Sequence, residues 1–385
     1  MPKNINTWRQ LLKKHRKSFL RWLSATRRAE ATLDNIASQL TEFIVHQIDN
    51  VRHEWPLAPI EFWNRIPEVR ACCSNPATFT KPFAVEAYAY VHFLERYRRT
   101  WATLERLTQL AVLPFGTRGV RVLDVGTGPA CSLYAIDDFY AALADFANES
   151  QIAEFELPEP QLACVEKSHS MVSFFHAFSE FACRRGPFGP LSNDFSSLYL
   201  PARRDWHRRQ NEVETYWDEE TQQYEEIYTP DWADAEAERL FRYRLIVLSN
   251  FLTLEADVER FRESLSLLFG DLKAGGVVLM LGGTGDAYQK IYERVAAIAH
   301  EVGLLEPTSE IDTTSRLRDD AAARIIKVAQ HRVYQHISGL VGIEALQRQK
   351  AWPDYWTEKP SPRARPRFAF RVFRSGRWPT HRTAT

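Results

Sequence analysis

The chain has 385 residues, 45% of them hydrophobic, so it can bury a large core with more than one substructure. Its 49 basic and 49 acidic residues cancel, so net charge favours neither nucleic acid nor any other charged partner. No apolar run approaches the roughly 18 residues of a membrane span, and the amino terminus lacks the hydrophobic core of a secretion signal. The five cysteines have no metal-type spacing, which fits a reducing compartment. We expect a cytoplasmic protein without a metal site or a membrane contact.

Residues 1–115 are predicted to be a helical N-terminal region. Trp8, Phe19 and Leu23 recur at helical spacing between basic residues, and a later helical pattern runs from Val85 to Leu110. The first thirty residues are Arg-rich and amphipathic, as a mitochondrial presequence is. Their continuous helical pattern is nevertheless typical of mature structure.

From Val120 the pattern changes to alternating strands and helices. Four short apolar runs, each followed by a helical pattern, are predicted strands: Val120–Val125, Gln161–Val165, Tyr243–Leu248 and Val277–Leu281. Such continuous apolar runs are expected where helices cover both faces of a sheet. The repeated order predicts an α/β domain over residues 116–310, with a doubly wound, mostly parallel sheet.

Two regions extend this domain. Residues 184–240 are an insertion far longer than a normal connection, with a predicted hairpin in residues 213–228. Residues 311–385 are predicted to hold helices at the edge of the sheet, a late strand and a basic tail. The strand is placed at Phe368–Phe373 because its residues alternate with period two, and it is expected to run antiparallel.

The first candidate site lies at the end of the first predicted strand. Asp124 ends that strand, and Gly126, Thr127 and Gly128 form the turn into the next helix. Glycine permits positive φ and lacks the side chain that would keep a ligand away from the backbone. The third small position is Ala130, which still allows close helix packing. This loop is therefore predicted to approach a nucleotide-type ligand.

A second acid, Glu166, ends the next predicted strand and is followed by Lys167. A carboxylate at this place can accept both hydroxyls of an adenosine ribose. Glu166 follows Asp124 by 42 residues, whereas about 20 residues usually separate the glycine turn from such an acid. A solvated acid at a strand end is the alternative interpretation.

The two segments resemble motifs of the class I S-adenosylmethionine-dependent methyltransferases. Val122–Gly128 is similar to the first motif of these enzymes, and Val165–Met171 is similar to the second. The resemblance implies a Rossmann-like fold with S-adenosylmethionine as cofactor. Asp124 and the glycine loop would hold the methionine end, and Glu166 would hold the ribose. A dinucleotide dehydrogenase is less favoured, because the Leu-Asp-Val-Gly opening differs from the G-x-G-x-x-G pattern.

A narrower likeness concerns the methyltransferase-like factors of mitochondrial small-ribosomal-subunit assembly and their bacterial relatives. Gly128–Ala130, the lead-in at Tyr88–Leu110 and the segment Leu279–Gly285 resemble these proteins. The chain departs from them because it lacks their clustered metal-binding cysteines.

Three further residues are candidate contacts. Asp194 is a candidate for the adenine amino group, and Asn250 and Gly283, which follow the fourth and fifth predicted strands, are candidates for the substrate. A plain loop is the alternative for Asp194 and Gly283. No catalytic base is assigned, because alignment of donor and acceptor can supply most of the acceleration of a methyl transfer.

The favoured function is a methyltransferase that acts on RNA or a ribonucleoprotein. The basic segments at both ends of the chain are suited to phosphate contact, and the aromatic residues within them to base stacking: Trp8, Trp22, Phe373 and Trp378. A non-catalytic methyltransferase-like assembly protein is one alternative. A small-molecule methyltransferase whose insertion forms a lid is another. The sequence leaves the oligomeric state open.

Overall fold

Four helices precede the first strand of the protein: α1 (Ile5–Thr26), α2 (Arg28–Arg52), α3 (Ala58–Ala71) and α4 (Ala84–Gln109). A computed structural model describes the chain at residues 5–71, 79–114, 120–152, 159–183, 214–218, 223–227, 243–249, 251–272, 275–306, 314–316, 320–347 and 367–375. The helical N-terminal pattern read from the sequence is therefore present. None of the helices within these ranges is long and apolar enough to cross a membrane.

The rest of the described chain alternates strands and helices. The strands are β1 (Arg121–Val125), β2 (Gln161–Val165), β3 (Glu214–Asp218), β4 (Gln223–Ile227), β5 (Leu245–Ser249), β6 (Val277–Gly282), β7 (Leu304–Leu305), β8 (Thr314–Arg316) and β9 (Arg367–Ser375). The helices are α5 (Cys131–Glu149), α6 (His169–Phe181), α7 (Glu255–Arg260), α8 (Arg262–Gly270), α9 (Asp286–Glu301), α10 (Asp320–Val341) and α11 (Ile343–Gln347).

The main sheet has the strand order β2-β1-β5-β6-β9-β7, with β8 paired to β9. Strands β2, β1, β5 and β6 are parallel, whereas β9 runs antiparallel to β6, β7 and β8. The doubly wound, mostly parallel sheet and the antiparallel late strand are thus confirmed. Strands β3 and β4 form a separate antiparallel hairpin inside the predicted insertion.

Alternate residues of the central strands enter two different cores. Val122 and Leu245 face a core shared with α4 and α5, whereas Leu123 and Ile246 face a core shared with α8 and α9. Both faces of each strand are therefore buried, which explains why the strands are continuously apolar.

The N-terminal helices pack against α5 and α6 in the core on one face of the sheet. Trp101 of α4 is fully buried and packs edge-on against Phe139 of α5, with ring centroids 5.2 Å apart. Phe43 of α2 packs edge-on against Phe174 of α6 and at a tilt against Phe178. This region is thus part of the main core, because aromatic side chains of this size contribute most when both partners are buried.

The C-terminal part of the chain is divided between two places. Strand β9 lies inside the sheet, while α10 packs against α2 and α3. Tyr334 of α10 contacts Trp63 of α3, with ring centroids 5.5 Å apart. Nε2 of His336 lies 3.0 Å from Oδ1 of Asp49 on α2. The sequence placed these helices at the edge of the sheet, and that placement is wrong. Their apolar stripe is instead buried against the N-terminal helices.

Two smaller expectations also need correction. The helical pattern after β5, which the sequence shows as one helix from Glu255 to Phe269, is two helices, α7 and α8, which meet at Phe261. Strand β1 continues to Val125, so Asp124 lies within it rather than at its end. Because strand side chains alternate, Asp124 therefore points to the same face as Val122, towards α4 and α5.

The packing of α1 generates a test of the N-terminal region. Phe19 is 1% exposed, and its ring lies 5.3 Å from that of Phe146 on α5. We expect Phe19→Ala to lower the free energy of unfolding by about 3–5 kcal/mol, because it leaves a large cavity. Chemical denaturation measures this loss. Arg21→Ala, on the exposed side of the same helix, is the control, and equal stability of the two variants would show that α1 does not belong to the core.

Candidate functional site

The glycine loop connects β1 to α5 at the carboxyl edge of the sheet. Gly126 and Gly128 have φ values of +68° and +56°, which L side chains rarely adopt. A Cβ atom on Gly126 would lie 2.6 Å from Cδ2 of Phe251, whereas one on Gly128 would meet nothing closer than Tyr88, at 4.0 Å. Both positions thus need glycine because their φ values are positive, and Gly126 also needs it because a Cβ atom would clash with Phe251.

Hydrogen bonds join this loop to the end of β2. The backbone N–H groups of Gly126 and Thr127 donate to the carbonyl oxygen of Val165, at 2.8 and 3.2 Å. The N–H of Gly128 donates to Oε2 of Glu166 at 2.7 Å, and the N–H of Ser168 donates to Oε1 at 2.8 Å. The two segments singled out in the sequence therefore form one structural unit.

The Glu166 carboxyl group is held between the loop and the start of α6. Its pKa is raised, chiefly because burial removes water from around it, and the amide donors of Ser168, Gly128 and Lys167 oppose that shift. The side chain of Lys167 points to solvent. Glu166 is therefore an acceptor at the mouth of the site, not a solvated acid at a strand end.

Asp124 is the most buried charged group of the site. The hydroxyl of Thr127 donates to its Oδ2 at 2.6 Å, whereas Oδ1 has no hydrogen-bond partner among the described residues. Burial raises the pKa of Asp124 to about 7, and the nearby Glu166 adds to the rise. A buried carboxylate oxygen without a partner is costly, so this side of the loop favours a cationic ligand group.

Ala130 begins α5 in a conformation that the sequence did not reveal. It is fully buried and has φ +63°, in the left-handed region that glycine adopts most easily. The close helix packing that a small residue at this position was expected to allow is present, because Ala130 is fully buried. The positive φ is a local strain of order 1 kcal/mol at the glycine loop, where strained backbone is commonly found.

Helix α4 supplies a wall that sequence reasoning missed. Tyr88 lies against Gly128, and the guanidinium carbon of Arg96 lies 5.0 Å from the centre of the Tyr88 ring. The charge of Arg96 also acts on Asp124, whose pKa it lowers. Tyr88 and Arg96 are two helical turns apart, so the sequence shows that they share a face. Nothing local to the sequence places that face over the loop.

The opposite wall lies at the end of β6. A Cβ atom on Gly283 would be 2.7 Å from the ring of Tyr288, and Tyr292 donates to the carbonyl of Gly283 at 3.0 Å. Arg99 of α4, which forms an ion pair with Glu95, acts electrostatically on both tyrosines. Burial lowers the pKa of Arg99 to about 10. Gly283 therefore lies beneath an aromatic side chain, and its role towards substrate stays a prediction.

The structure describes most of the predicted site residues, but two of them lie outside it. Asp124, Gly126, Thr127, Gly128, Ala130 and Glu166 come together around the loop, with Lys167 beside them. Asp194 and Asn250 lie outside the described residues. Within the described part of the chain, no group of three or more His, Cys, Asp or Glu side chains could hold a metal ion.

No family model matches the chain, and no curated protein matches it. Solved structures match at 12% identity. They include a precorrin-6y C5,15-methyltransferase from Geobacter metallireducens, covering 55% of this chain and 73% of that chain with a TM-score of 0.29. The match to a candidate RNA methyltransferase from Pyrococcus horikoshii covers 78% of this chain and 89% of that chain, with a TM-score of 0.32. The match to the cyclase SpnF covers 71% of this chain and 80% of that chain, with a TM-score of 0.33.

The strand order of the chain itself defines the fold, which is Rossmann-like, as the resemblance to class I methyltransferases implied. The narrower likeness to small-ribosomal-subunit assembly factors stays a prediction.

The environment of Asp124 generates a pH prediction. An acid whose pKa is raised in the folded protein stabilises the fold while it is protonated. That contribution is complete below its ordinary pKa of 3.8 and is lost as the pH rises through about 7. We therefore expect the stability of Asp124→Asn relative to wild type to increase between pH 4 and pH 7. The increase should reach at most about 1.4 kcal/mol per pH unit.

Urea unfolding at several pH values, followed by tryptophan fluorescence, measures this difference. Asp34→Asn removes an exposed carboxylate from α2 and is the matched control for the loss of one negative charge. A difference between Asp124→Asn and wild type that stays constant from pH 4 to pH 7 would contradict the prediction.

Proposed function

We propose that this protein is an S-adenosylmethionine-dependent methyltransferase. The observation that carries the proposal is the joint between the glycine loop and Glu166 at the carboxyl ends of β1 and β2. In open α/β sheets, ligands bind outside these strand ends, and glycine lets the backbone approach them. The motif resemblance of both segments selects this cofactor over a dinucleotide.

The residues present fit such a cofactor. Among the described residues, only Tyr88 lies within 4.0 Å of the position that a Cβ atom would take on Gly128, which leaves room beside the backbone. Glu166 offers carboxylate oxygens to ribose hydroxyls, and Asp124, whose Oδ1 has no hydrogen-bond partner among the described residues, is a second acidic group near the loop. The cofactor carries an ammonium and a sulfonium group, so the two acidic side chains would attract its positive charges.

The chain's own contribution to the reaction is binding and alignment. The cofactor supplies an electrophilic methyl group on sulfur. The loop, Glu166 and the α4 wall would hold the cofactor that carries this group, and Tyr288 beside Gly283 would border the site at the end of β6. In-line displacement needs such positioning more than it needs a base, since alignment can supply about 7–11 kcal/mol of the barrier.

Calorimetry with S-adenosylmethionine tests the proposal. We expect Glu166→Ala to bind about 10- to 100-fold more weakly than wild type, because charge-assisted hydrogen bonds to the ribose are lost. Glu166→Gln keeps one acceptor and should be intermediate. Glu180→Ala, at an exposed position on α6, is the control.

The possible outcomes separate the proposals. Absence of binding to the wild type would overturn the cofactor assignment, and equal affinity of Glu166→Ala and wild type would overturn the role of Glu166. If the cofactor binds, transfer of a tritiated methyl group to RNA, protein or small-molecule fractions distinguishes an enzyme from a non-catalytic binding protein.

We propose RNA as the acceptor, on the basis of α1. Its exposed cations share one helix face, opposite the buried Phe19 and Leu23: Lys13, Lys14, Lys17 and Arg21. The described part of α1 holds no acidic residue that could neutralise them. Such a row of cations along a helix suits the phosphates of a nucleic acid.

This cationic face lies far from the glycine loop. Arg16 donates to the carbonyl of Gln109 at the end of α4, and Trp22 donates to Glu149 at the end of α5. Since α5 begins at the loop and has 19 residues, its two ends are separated by about 28 Å. The proposed RNA contact is therefore a docking surface for a long substrate, remote from the acceptor site.

The C-terminal strand does not share this role. Phe373 is completely buried, and Arg371 forms an ion pair with Glu306 at 2.6 Å. Trp22 packs against Phe146 and bonds to Glu149. The expectation that Phe373 stacks on bases is therefore wrong, because its ring is completely buried, whereas Trp22 is half-buried and its role stays a prediction. Trp378 and the side chain of Trp8 lie outside the described residues.

RNA titration at several salt concentrations tests the docking surface. The triple variant Lys13→Gln, Lys17→Gln, Arg21→Gln should bind RNA more weakly. The slope of log affinity against log salt should decrease by about 2, since each lost phosphate contact accounts for roughly 0.7–0.9. Affinity for S-adenosylmethionine should not change. The control variant replaces three cations elsewhere with Gln: Lys290, Arg324 and Arg332.

Equal RNA affinity of the α1 variant and wild type would contradict this assignment. Methylation of a small molecule at a rate that does not change with salt concentration would favour the small-molecule alternative instead.

A further inference from the structure

We propose that Arg96 of α4 binds the carboxylate of the cofactor's methionine end, so that the N-terminal helical region completes the cofactor site. This inference rests on the proposed function. It assigns a binding role to a helix that precedes the Rossmann-like domain and carries neither of the two cofactor motifs.

A continuous set of contacts places Arg96 beside the loop. Tyr88 Cε1 lies 4.0 Å from the position that a Cβ atom would take on Gly128. The Arg96 guanidinium carbon lies 5.0 Å from the centre of the Tyr88 ring. Gly128, Tyr88 and Arg96 therefore form one surface on the open side of the glycine loop.

The charges around this surface match an amino acid zwitterion. Asp124 faces the α4 side of β1, is completely buried, and has an oxygen without a hydrogen-bond partner among the described residues. The charge of Arg96 is felt both at Asp124 and at Cys131, the first residue of α5. The Asp124 carboxyl group and the Arg96 guanidinium, both on the α4 side of β1, are opposite in charge to the ammonium and carboxylate groups of a methionine moiety.

Arg96 fits this role better than Arg99, the next arginine on the same side of α4. Arg99 acts on Tyr288 and Tyr292 at the end of β6 and on Cys131, whereas the charge of Arg96 acts on Asp124 as well as on Cys131. Stacking of Arg96 on the Tyr88 ring also limits the orientations of its planar guanidinium. Fewer rotamers are then lost when a ligand carboxylate is bound.

Three adenosyl ligands test the inference by calorimetry. S-adenosylhomocysteine carries the complete amino acid end, its decarboxylated analogue lacks only the carboxylate, and 5′-methylthioadenosine lacks both charged groups. Wild type should bind S-adenosylhomocysteine at least about tenfold more tightly than the decarboxylated analogue. Arg96→Ala should lose this discrimination while keeping its affinity for 5′-methylthioadenosine. Arg96→Lys should keep part of it.

Arg106→Ala is the matched control, because it removes the same charge near the other end of α4, where Arg106 bonds to Gln109. Its ligand discrimination should equal that of wild type. The inference is overturned if Arg96→Ala discriminates as wild type does, or if it loses 5′-methylthioadenosine together with the other ligands. Failure of wild type to bind any of the three ligands would instead overturn the cofactor assignment itself.

Discussion

The site depends on the attachment of the glycine loop to the end of β2. Because β1 and β2 pair in parallel register, with Val125 opposite Val165, the two strands end at the same level. The Val165 carbonyl accepts two loop amides, and Glu166 accepts a third from Gly128. These bonds hold Gly126 and Gly128 at positive φ and bring the acid to the loop. A change at either strand end would therefore move both halves of the site.

The N-terminal helices serve the core and the site at once. Trp101 and Tyr97 of α4 are fully buried against α5 and its neighbours, while Tyr88 and Arg96 of the same helix reach the glycine loop. A helix held by buried aromatic side chains is a rigid support for polar groups at its surface. The position of the proposed cofactor partners is thus set by core packing along the same helix.

Electrostatics explain why the loop favours a ligand with positive charge. Asp124 and Glu166 are two acids in a desolvated place, and burial raises the pKa of each. A ligand with cationic groups would offset the cost of holding both charges there. The exposed cations of α1 lie beside the C-terminal ends of α4 and α5, away from the glycine loop. In the proposed function, donor and acceptor would therefore be recognised by separate charges at separate places.

The sequence by itself determined the local parts of this protein. Continuous apolar runs located β1, β2, β5 and β6, alternation located β9, and the glycines with Glu166 marked the carboxyl edge, because these signals depend on neighbouring residues. The tertiary structure alone decided which surfaces meet. It placed α10 on α2 and α3, buried Phe373, turned Ala130 to positive φ and set Arg96 over the ring of Tyr88. Such contacts join residues distant in the chain, and they depend on packing across layers that no local pattern encodes.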